Sequence, residues 1–447
     1  MNFVKYLLTK LIPDGQDWNL GGLIPSPVDS FETPTWHTIA PGRPPMEGSC
    51  EGSRRRFLKT AAASGAVLAS ADSLLAAQDK VAIPEVTLGK TGVKVTRLGM
   101  GTSWAVAESF VQRAIAAGVR YIDTSETYER GKAEIALGNV FARTGKRKDV
   151  YLVTKNGSYE GMKGAARAKS FLTHLESSLQ RLQTDYVDCY YIHGIRGRDI
   201  DMFTDKDVIK TFEDLKKAGK IKFAGFSCHD AMLPELVEAG AKSGWIDQMM
   251  IAYNFRTMDG DQIRKAIDVA SKANLGIVAM KTQGGAKEFK AGEKEPKMNA
   301  LIDKGFKVHQ AAIKAVLNDE RIHLAVSEMT NFDELNENMG SVVASLTPRE
   351  SRLLEEHRVL TANRYCHGCG HLCESAAKGV PVATVLRYYR YYESYGKREE
   401  ARALYQALPA ESRAVADLNL AGLDEACPHG LPVSDLLREA NGRLGLV

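Results

Sequence analysis

Four ionisable residues, Asp123, Tyr128, Lys155 and His193, stand where short β-rich runs end or in the loop just beyond. Their types are those needed to move a proton to or from a carbonyl oxygen. A buried lysine beside a tyrosine hydroxyl favours the phenolate, so the tyrosine pKa is expected to fall from about 10 toward the working pH. Such a tyrosine gives a proton as hydride arrives, or takes one in the reverse direction. Asp123 would pair with Lys155, keeping it charged and aimed at the tyrosine. His193 would hydrogen-bond the substrate oxygen and orient it. A single histidine at a strand end is more often a satisfied structural group, and a single Asp–Lys pair is usually a salt bridge. The full set at three consecutive strand ends is hard to explain by packing. A second constellation lies late in the chain. Of seven cysteines, Cys50, Cys189 and Cys228 are scattered, whereas Cys366, Cys369, Cys373 and Cys427 fall in the last part. Short spacing of this kind in a chain this large points to a metal or cluster site rather than a disulfide framework.

The elements that must position the first set recur with a steady beat. β-rich runs lie at Val95–Met100, Tyr121–Thr124, Val150–Thr154, Tyr186–Ile192, Ile221–Phe226, Gln248–Tyr253, Gly276–Met280 and His323–Val326. Each precedes a segment with helical spacing, such as FLTHLESSLQRL from Phe171 or QIRKAIDVASKAN from Gln262. Eight βα units predict a parallel (β/α)8 TIM barrel, an α/β fold whose chemistry sits at the C-terminal ends of its strands. The first run ends in GMGTS (Gly101 and Thr102 within it), which is not the GxGxxG of an open dinucleotide-binding sheet. VTLGKTGVKV, just before, predicts a β-hairpin closing the barrel floor.

YIDTSETY (121–128), LVTK (152–155), YVDCYYIHG (186–194), FAGFS (223–227) and EN (337–338) resemble the aldo/keto reductase family. The resemblance covers nearly the whole barrel and includes Asp123, Tyr128, Lys155 and His193. It implies an NAD(P)-dependent reductase of a small-molecule carbonyl (aldehyde, ketone or quinone), needing no metal for hydride transfer. Its cofactor contacts would fall on Gly101, Thr102, Ser227, Gln248, Met280, Lys281, Ser327, Glu337 and Asn338. Ser227-Cys228 replaces the family's usual Ser-Asn. Met280 and Lys281 stand where the family often places an aromatic residue, although a methionine sulfur can pack on a ring. The loop SEMTNFDELNEN carries Glu328, Asp333 and Glu334, which would repel a 2′-phosphate. Charge there favours NAD, while the family favours NADP.

The late cysteines sit in YCHGCGHLCESAAKGVPV (365–382) and EACPHGLPVSDLL (425–437). GVPVATVL and GLPVSDLL are echoes of each other, and the pair resembles a degenerate set of bacterial ferredoxin motifs. In that pattern three close cysteines bind one cluster and the fourth, in Cys-Pro, binds the other. Here the first motif keeps its trio and the second keeps its Cys-Pro. The ligands of one 4Fe-4S cluster therefore survive as Cys366, Cys369, Cys373 and Cys427, in a small, mainly helical C-terminal iron–sulfur domain. A four-cysteine zinc site requires the same ligand count. His367, His371 and His429 flank the cysteines and could substitute.

SRRRFLK (53–59), followed by an Ala-rich apolar stretch and small residues near 71–77, resembles a twin-arginine export signal. The expected layout is a leader at 1–52, with Met46 a natural start, the signal at 53–77, the barrel at 84–345 and the iron–sulfur domain at 361–447. The signal implies twin-arginine export machinery as a partner and a periplasmic location, or a cytoplasmic one if it is not used. It is too short and too rich in Ala and Ser for a stable membrane span. Hydrophobic residues at 44% and charged residues at 26% are those of a soluble globular chain. A net charge of +4 spread over 59 basic and 55 acidic residues argues against a nucleic-acid surface. Two further readings compete with the enzyme. One is a catalytically silent barrel serving as a binding or regulatory subunit; the other is an electron-transfer subunit working through its cluster with a redox partner.

Overall fold

A computed structural model describes residues 82–446, apart from 104–106, 231, 286–299, 301–303, 378, 416–419 and 421. The expected leader, Met46 and the export signal lie outside the described residues. From Gln78 to Val447 the chain forms one compact unit, so the barrel and the C-terminal helices belong together.

Strands β1 (Glu85–Thr87) and β2 (Lys94–Thr96) form the expected antiparallel hairpin. Eight parallel strands then close a barrel: β3 (Leu98–Gly101), β4 (Tyr121–Asp123), β5 (Tyr151–Asn156), β6 (Val187–Ile192), β7 (Ile221–Cys228), β8 (Gln248–Ala252), β9 (Gly276–Met280) and β10 (Leu324–Glu328). β10 pairs with both β9 and β3, which completes the ring. The strands read as nearly unbroken apolar runs because helices cover one face and the barrel interior the other.

The helices follow from apolar spacing and caps. Seven of those around the barrel are α1 (Glu108–Ala116), α2 (Lys132–Thr144), α3 (Gly164–Leu182), α4 (Lys206–Lys217), α5 (Leu233–Lys242), α6 (Asp261–Lys272) and α7 (Val308–Leu317). In α4, Asp205 accepts from the N–H groups of Asp207 and Val208, and Val208, Phe212 and Leu215 supply the buried stripe. Asn331 caps α8 (Phe332–Val343) by accepting from Glu334 N.

The first expected strand, Val95–Met100, is two elements. Thr96 pairs with Glu85 in the hairpin, whereas Leu98 pairs with Ala325 in the barrel. Between them, the Arg97 guanidinium donates to the carbonyls of Leu317, Ile322 and His323 and fixes the bend. The hairpin closes the floor. Leu88 is fully buried against Gly276, where a Cβ would come within 2.8 Å of the leucine side chain.

After the barrel come α9 (Pro348–Leu360), opened by a Thr347–Glu350 capping box, then α10 (Val382–Glu393), α11 (Arg398–Gln406) and α12 (Val433–Leu444). The last three pack about a separate apolar core that includes Val385, Leu386, Tyr405 and Leu437. The chain crosses to them over the barrel's C-terminal face, which places the cysteine segment beside the barrel mouth.

Candidate active site

The four predicted side chains meet at the C-terminal ends of β4, β5 and β6. Asp123 ends β4, Lys155 lies near the end of β5 and His193 follows β6. The Lys155 ammonium lies 2.7 Å from one Asp123 oxygen and 2.8 Å from the other. It also donates to Thr124 O at 2.7 Å and to the Tyr128 hydroxyl at 3.2 Å. The imidazole of His193 stands edge-on to the Tyr128 ring, with centroids 5.6 Å apart. Its Nδ1 is 3.0 Å from Ser125 Oγ, and its Nε2 makes no hydrogen bond to the protein among the described residues. Tyr128 and Nε2 of His193 are therefore the polar groups left to meet a bound oxygen.

The electrostatics differ from the expectation in one respect. Burial pushes the Tyr128 phenol well above its ordinary range, and the charges of Asp123 and Glu328 push it the same way. Lys155 does not bring it down. Its own ammonium is lowered by burial and is largely satisfied by Asp123, whose carboxyl burial in turn raises. Burial, with Lys155 and Lys281 nearby, pushes His193 down to about 3. The site holds a protonated phenol and a neutral imidazole at neutral pH, so it is set up to give a proton.

The expected cofactor contacts divide. Gly101 ends β3, paired with Asp123 and Glu328, and Thr102 Oγ1 donates to Asp123 O at 3.0 Å. Ser227 Oγ accepts from Gly194 N at 2.8 Å, and Met280 ends β9. Asn338 donates to Ser327 Oγ at 3.0 Å, both buried. Glu337 lies 4.0 Å from Lys307. Lys281 follows β9 directly. These positions ring the C-terminal face or the adjoining helix. Gln248 does not. It begins β8, accepts from the Tyr151 hydroxyl at 2.9 Å and donates to the Tyr191 hydroxyl at 2.8 Å, inside the barrel. Strand period two puts Met250, not Gln248, at the next interior position toward the mouth. The acidic loop is also less free than its sequence implies: Glu334 accepts from Thr330 N and Oγ1, and Glu328 from Ser103 Oγ.

The aldo/keto reductase family model matches residues 97–359, more than half the chain. The chain belongs to the aldo/keto reductase family. It is an NAD(P)-dependent oxidoreductase by that membership. Among curated relatives, it is 31% identical over 178 residues to the uncharacterised oxidoreductase YqkF of Bacillus subtilis, covering 37% of this chain and 55% of that protein. It is 26% identical over 300 residues to L-galactose dehydrogenase of Arabidopsis thaliana, covering 61% of this chain and 93% of that enzyme. Among solved structures, the holo form of an aldo-keto reductase from Bacillus halodurans superposes with a TM-score of 0.50 at 23% identity, over 62% of this chain and 96% of that one.

Beyond its barrel, the chain carries a roof whose contacts with the barrel mouth the sequence did not single out. Tyr365 bridges barrel and roof: its hydroxyl is 3.3 Å from Asn254 Nδ2, and the guanidinium of Arg390, on α10, lies 4.6 Å from its ring. Arg256 donates to Gly284 O at 2.8 Å and stacks on the same tyrosine. Gly284 and Gly285, both at positive φ, bring the loop after β9 close, and a Cβ on Gly285 would lie 2.7 Å from Arg390 Cδ. The signal was present in RYYRYYESY, where Arg387, Arg390 and Tyr391 share one helical face. Cys366, Cys369, Cys373 and Cys427 form no disulfide and line one cavity with apolar neighbours such as Leu372, Val382 and Leu431. His367 and His429 stack at its rim, centroids 3.7 Å apart. Among the described residues no three His, Cys, Asp or Glu side chains converge closely enough to hold a single metal ion.

Proposed function

We propose that this chain is a carbonyl reductase in which Tyr128 is the proton donor. The carrying observation is the convergence of Asp123, Lys155, Tyr128 and His193 on a phenol that burial keeps protonated. Bound at the C-terminal face, the nicotinamide cofactor supplies hydride to the carbonyl carbon. Nε2 of neutral His193 and the Tyr128 hydroxyl hold the carbonyl oxygen, and the phenol passes its proton to that oxygen. Lys155, 3.2 Å from the phenol, stabilises the negative charge left behind. A phenol pushed upward favours reduction over alcohol oxidation at neutral pH. Glu328 and Glu334 are held by hydroxyl and backbone donors but keep their charge, which disfavours a 2′-phosphate, against the family's preference for NADP.

The same reading gives the roof a 4Fe-4S cluster held by Cys366, Cys369, Cys373 and Cys427. A zinc ion would need its sulfurs at about 2.3 Å around one point, whereas four thiols spaced around a cavity with apolar walls suit the larger cluster. The cluster supplies a covalent staple between the two cysteine segments and, where reducible, one-electron chemistry. Export of the folded protein to the periplasm through the twin-arginine route, for which residues 53–77 are the basis, completes this reading.

The test is anaerobic oxidation of NADH and NADPH with a panel of aldehydes and quinones, wild type against Tyr128→Phe. Turnover that collapses in the variant supports the reductase. Absence of both turnover and nucleotide binding in the wild type would favour the silent regulatory barrel.

A further inference from the structure

The mouth of the barrel contains more positive charge than its own chemistry uses. Lys281, the first residue after β9, sits at positive φ (55°); its carbonyl accepts from Gly284 N, while its ammonium has no hydrogen-bond or carboxylate partner among the described residues. It opens the loop whose Gly284 packs on Asn254 and whose Gly285 packs on Arg390, at the barrel mouth, and its charge lowers His193 and His229. Arg387 comes from the roof. It lies three residues before Arg390 and four before Tyr391, so the three share one face of α10. Arg390 is locked against Gly285 and Tyr365, and this turns that face toward the mouth. Arg387 itself rests against Tyr388, its guanidinium 5.4 Å from the ring, and has no ion-pair or hydrogen-bond partner among the described residues.

The third cation, Arg390, is accounted for. It donates to Cys366 O and so serves the cysteine segment. Lys281 and Arg387 do not. Burial together with Arg387 and Arg390 pushes the Lys281 ammonium down to about 7, the direction expected of a lysine that lacks a counter-charge. Two partly buried cations within electrostatic reach of each other, neither ion-paired to a carboxylate among the described residues, are an arrangement that a ligand anion would relieve.

Resting on the reductase reading above, we propose that Lys281 and Arg387 bind an anionic group, a carboxylate or phosphate, on the carbonyl substrate, so that the enzyme acts on acidic aldehydes or ketones. Lys281 acts on both His193 and His229 and Arg387 acts on His229, so an anion held between the two cations would lie near the reacting carbonyl. The roof then acts as part of the substrate pocket as well as a cover. The other anion that could reach the mouth is the cofactor's own diphosphate, and the two sources separate by experiment.

The protein saturated with oxidised nucleotide is titrated calorimetrically with 4-hydroxybutyrate, and separately with butan-1-ol, which lacks the carboxylate. The expected result is a carboxylate preference of roughly 10- to 100-fold, the worth of one or two charge-assisted hydrogen bonds. Arg387→Met and Lys281→Met should each reduce that ratio about tenfold or more, and Arg387→Lys should restore part of it. Thermal melts and the cysteine site's visible spectrum check that each variant keeps its fold. Inorganic phosphate should compete with the carboxylate. Equal affinity for the two probes, or a ratio unmoved by either variant, overturns the proposal. So does a loss confined to nucleotide affinity, which assigns the cations to the cofactor's diphosphate. The titration can be repeated without nucleotide, so failure of the nucleotide-binding reading would not be mistaken for failure of the anion site.

Discussion

Lys155 and Asp123 form an ion pair that the fold does not need, and this can be measured. Both residues are almost fully buried, 1% and 3% exposed, with the ammonium 2.7 Å from the nearer oxygen. Burial raises the Asp123 carboxyl and lowers the Lys155 ammonium even with the partner in place. A raised carboxyl favours the folded state only at low pH, below its unfolded pKa, and that benefit is lost as pH rises through the folded value. A lowered ammonium favours it only at high pH, above its unfolded pKa, and that benefit is lost as pH falls through the folded value. Both shifts run against the charged forms, so burial makes the ion pair costly wherever both groups are ionised. Removing one partner strands the other, which costs about 3–5 kcal/mol, or roughly 100- to 5,000-fold in the folding equilibrium. Replacing both with apolar groups, Asp123→Leu with Lys155→Met, should be neutral or stabilising by up to about 4 kcal/mol. Urea unfolding followed by circular dichroism, anaerobically, gives the three free energies for Asp123→Leu, Lys155→Met and the double variant. All three should lose reductase activity by about 100-fold or more. A double variant destabilised by the sum of the single effects would refute the reasoning and make the pair structural.

Other outcomes follow from the same geometry. With an uncharged aldehyde, kcat/KM for reduction should show no limb from Tyr128 or His193 between about pH 6 and 9, because His193 titrates near 3 and the phenol is pushed upward; a limb near 7 or 8 that persists in Lys281→Met would contradict this. Gln248→Met should lower stability by about 1–3 kcal/mol, through the Tyr151 and Tyr191 hydroxyls it leaves unpaired, with nucleotide affinity unchanged by calorimetry. Cys373→Ala, purified without oxygen, should lose most of the iron and the visible absorbance of a wild type holding about four irons per chain. Stoichiometric zinc in the wild type would instead favour the mononuclear site.

The barrel was legible because its signal is repetitive: β-rich runs and helical stretches alternate, and a chain of this periodicity has few other ways to bury them. Asp123, Lys155 and His193 were legible because polar residues at the C-terminal ends of buried strands have little structural reason to be there. Gln248 was misplaced by register. A glutamine at the start of β8 looks like one near its end until pairing with Gly225 and Gly276 puts it low in the barrel. The Tyr128 shift was misjudged because composition shows Lys155 beside a tyrosine but not how deeply both are buried. The pattern around Arg387 was visible in RYYRYYESY, but its place at the mouth was not. That place depends on which face of α10 meets a loop about 100 residues earlier in the chain, and the contact is tertiary.

The account's central claim is that hydride passes from nicotinamide to a carbonyl at a site whose proton comes from Tyr128. Nicotinamide nucleotide deuterated at C4 tests this directly, by mass spectrometry of the alcohol formed from a reactive aldehyde. The account predicts one deuterium on the carbinol carbon with wild type and no product above background with Tyr128→Phe. Product carrying only solvent hydrogen, or the same yield from the variant, would contradict it.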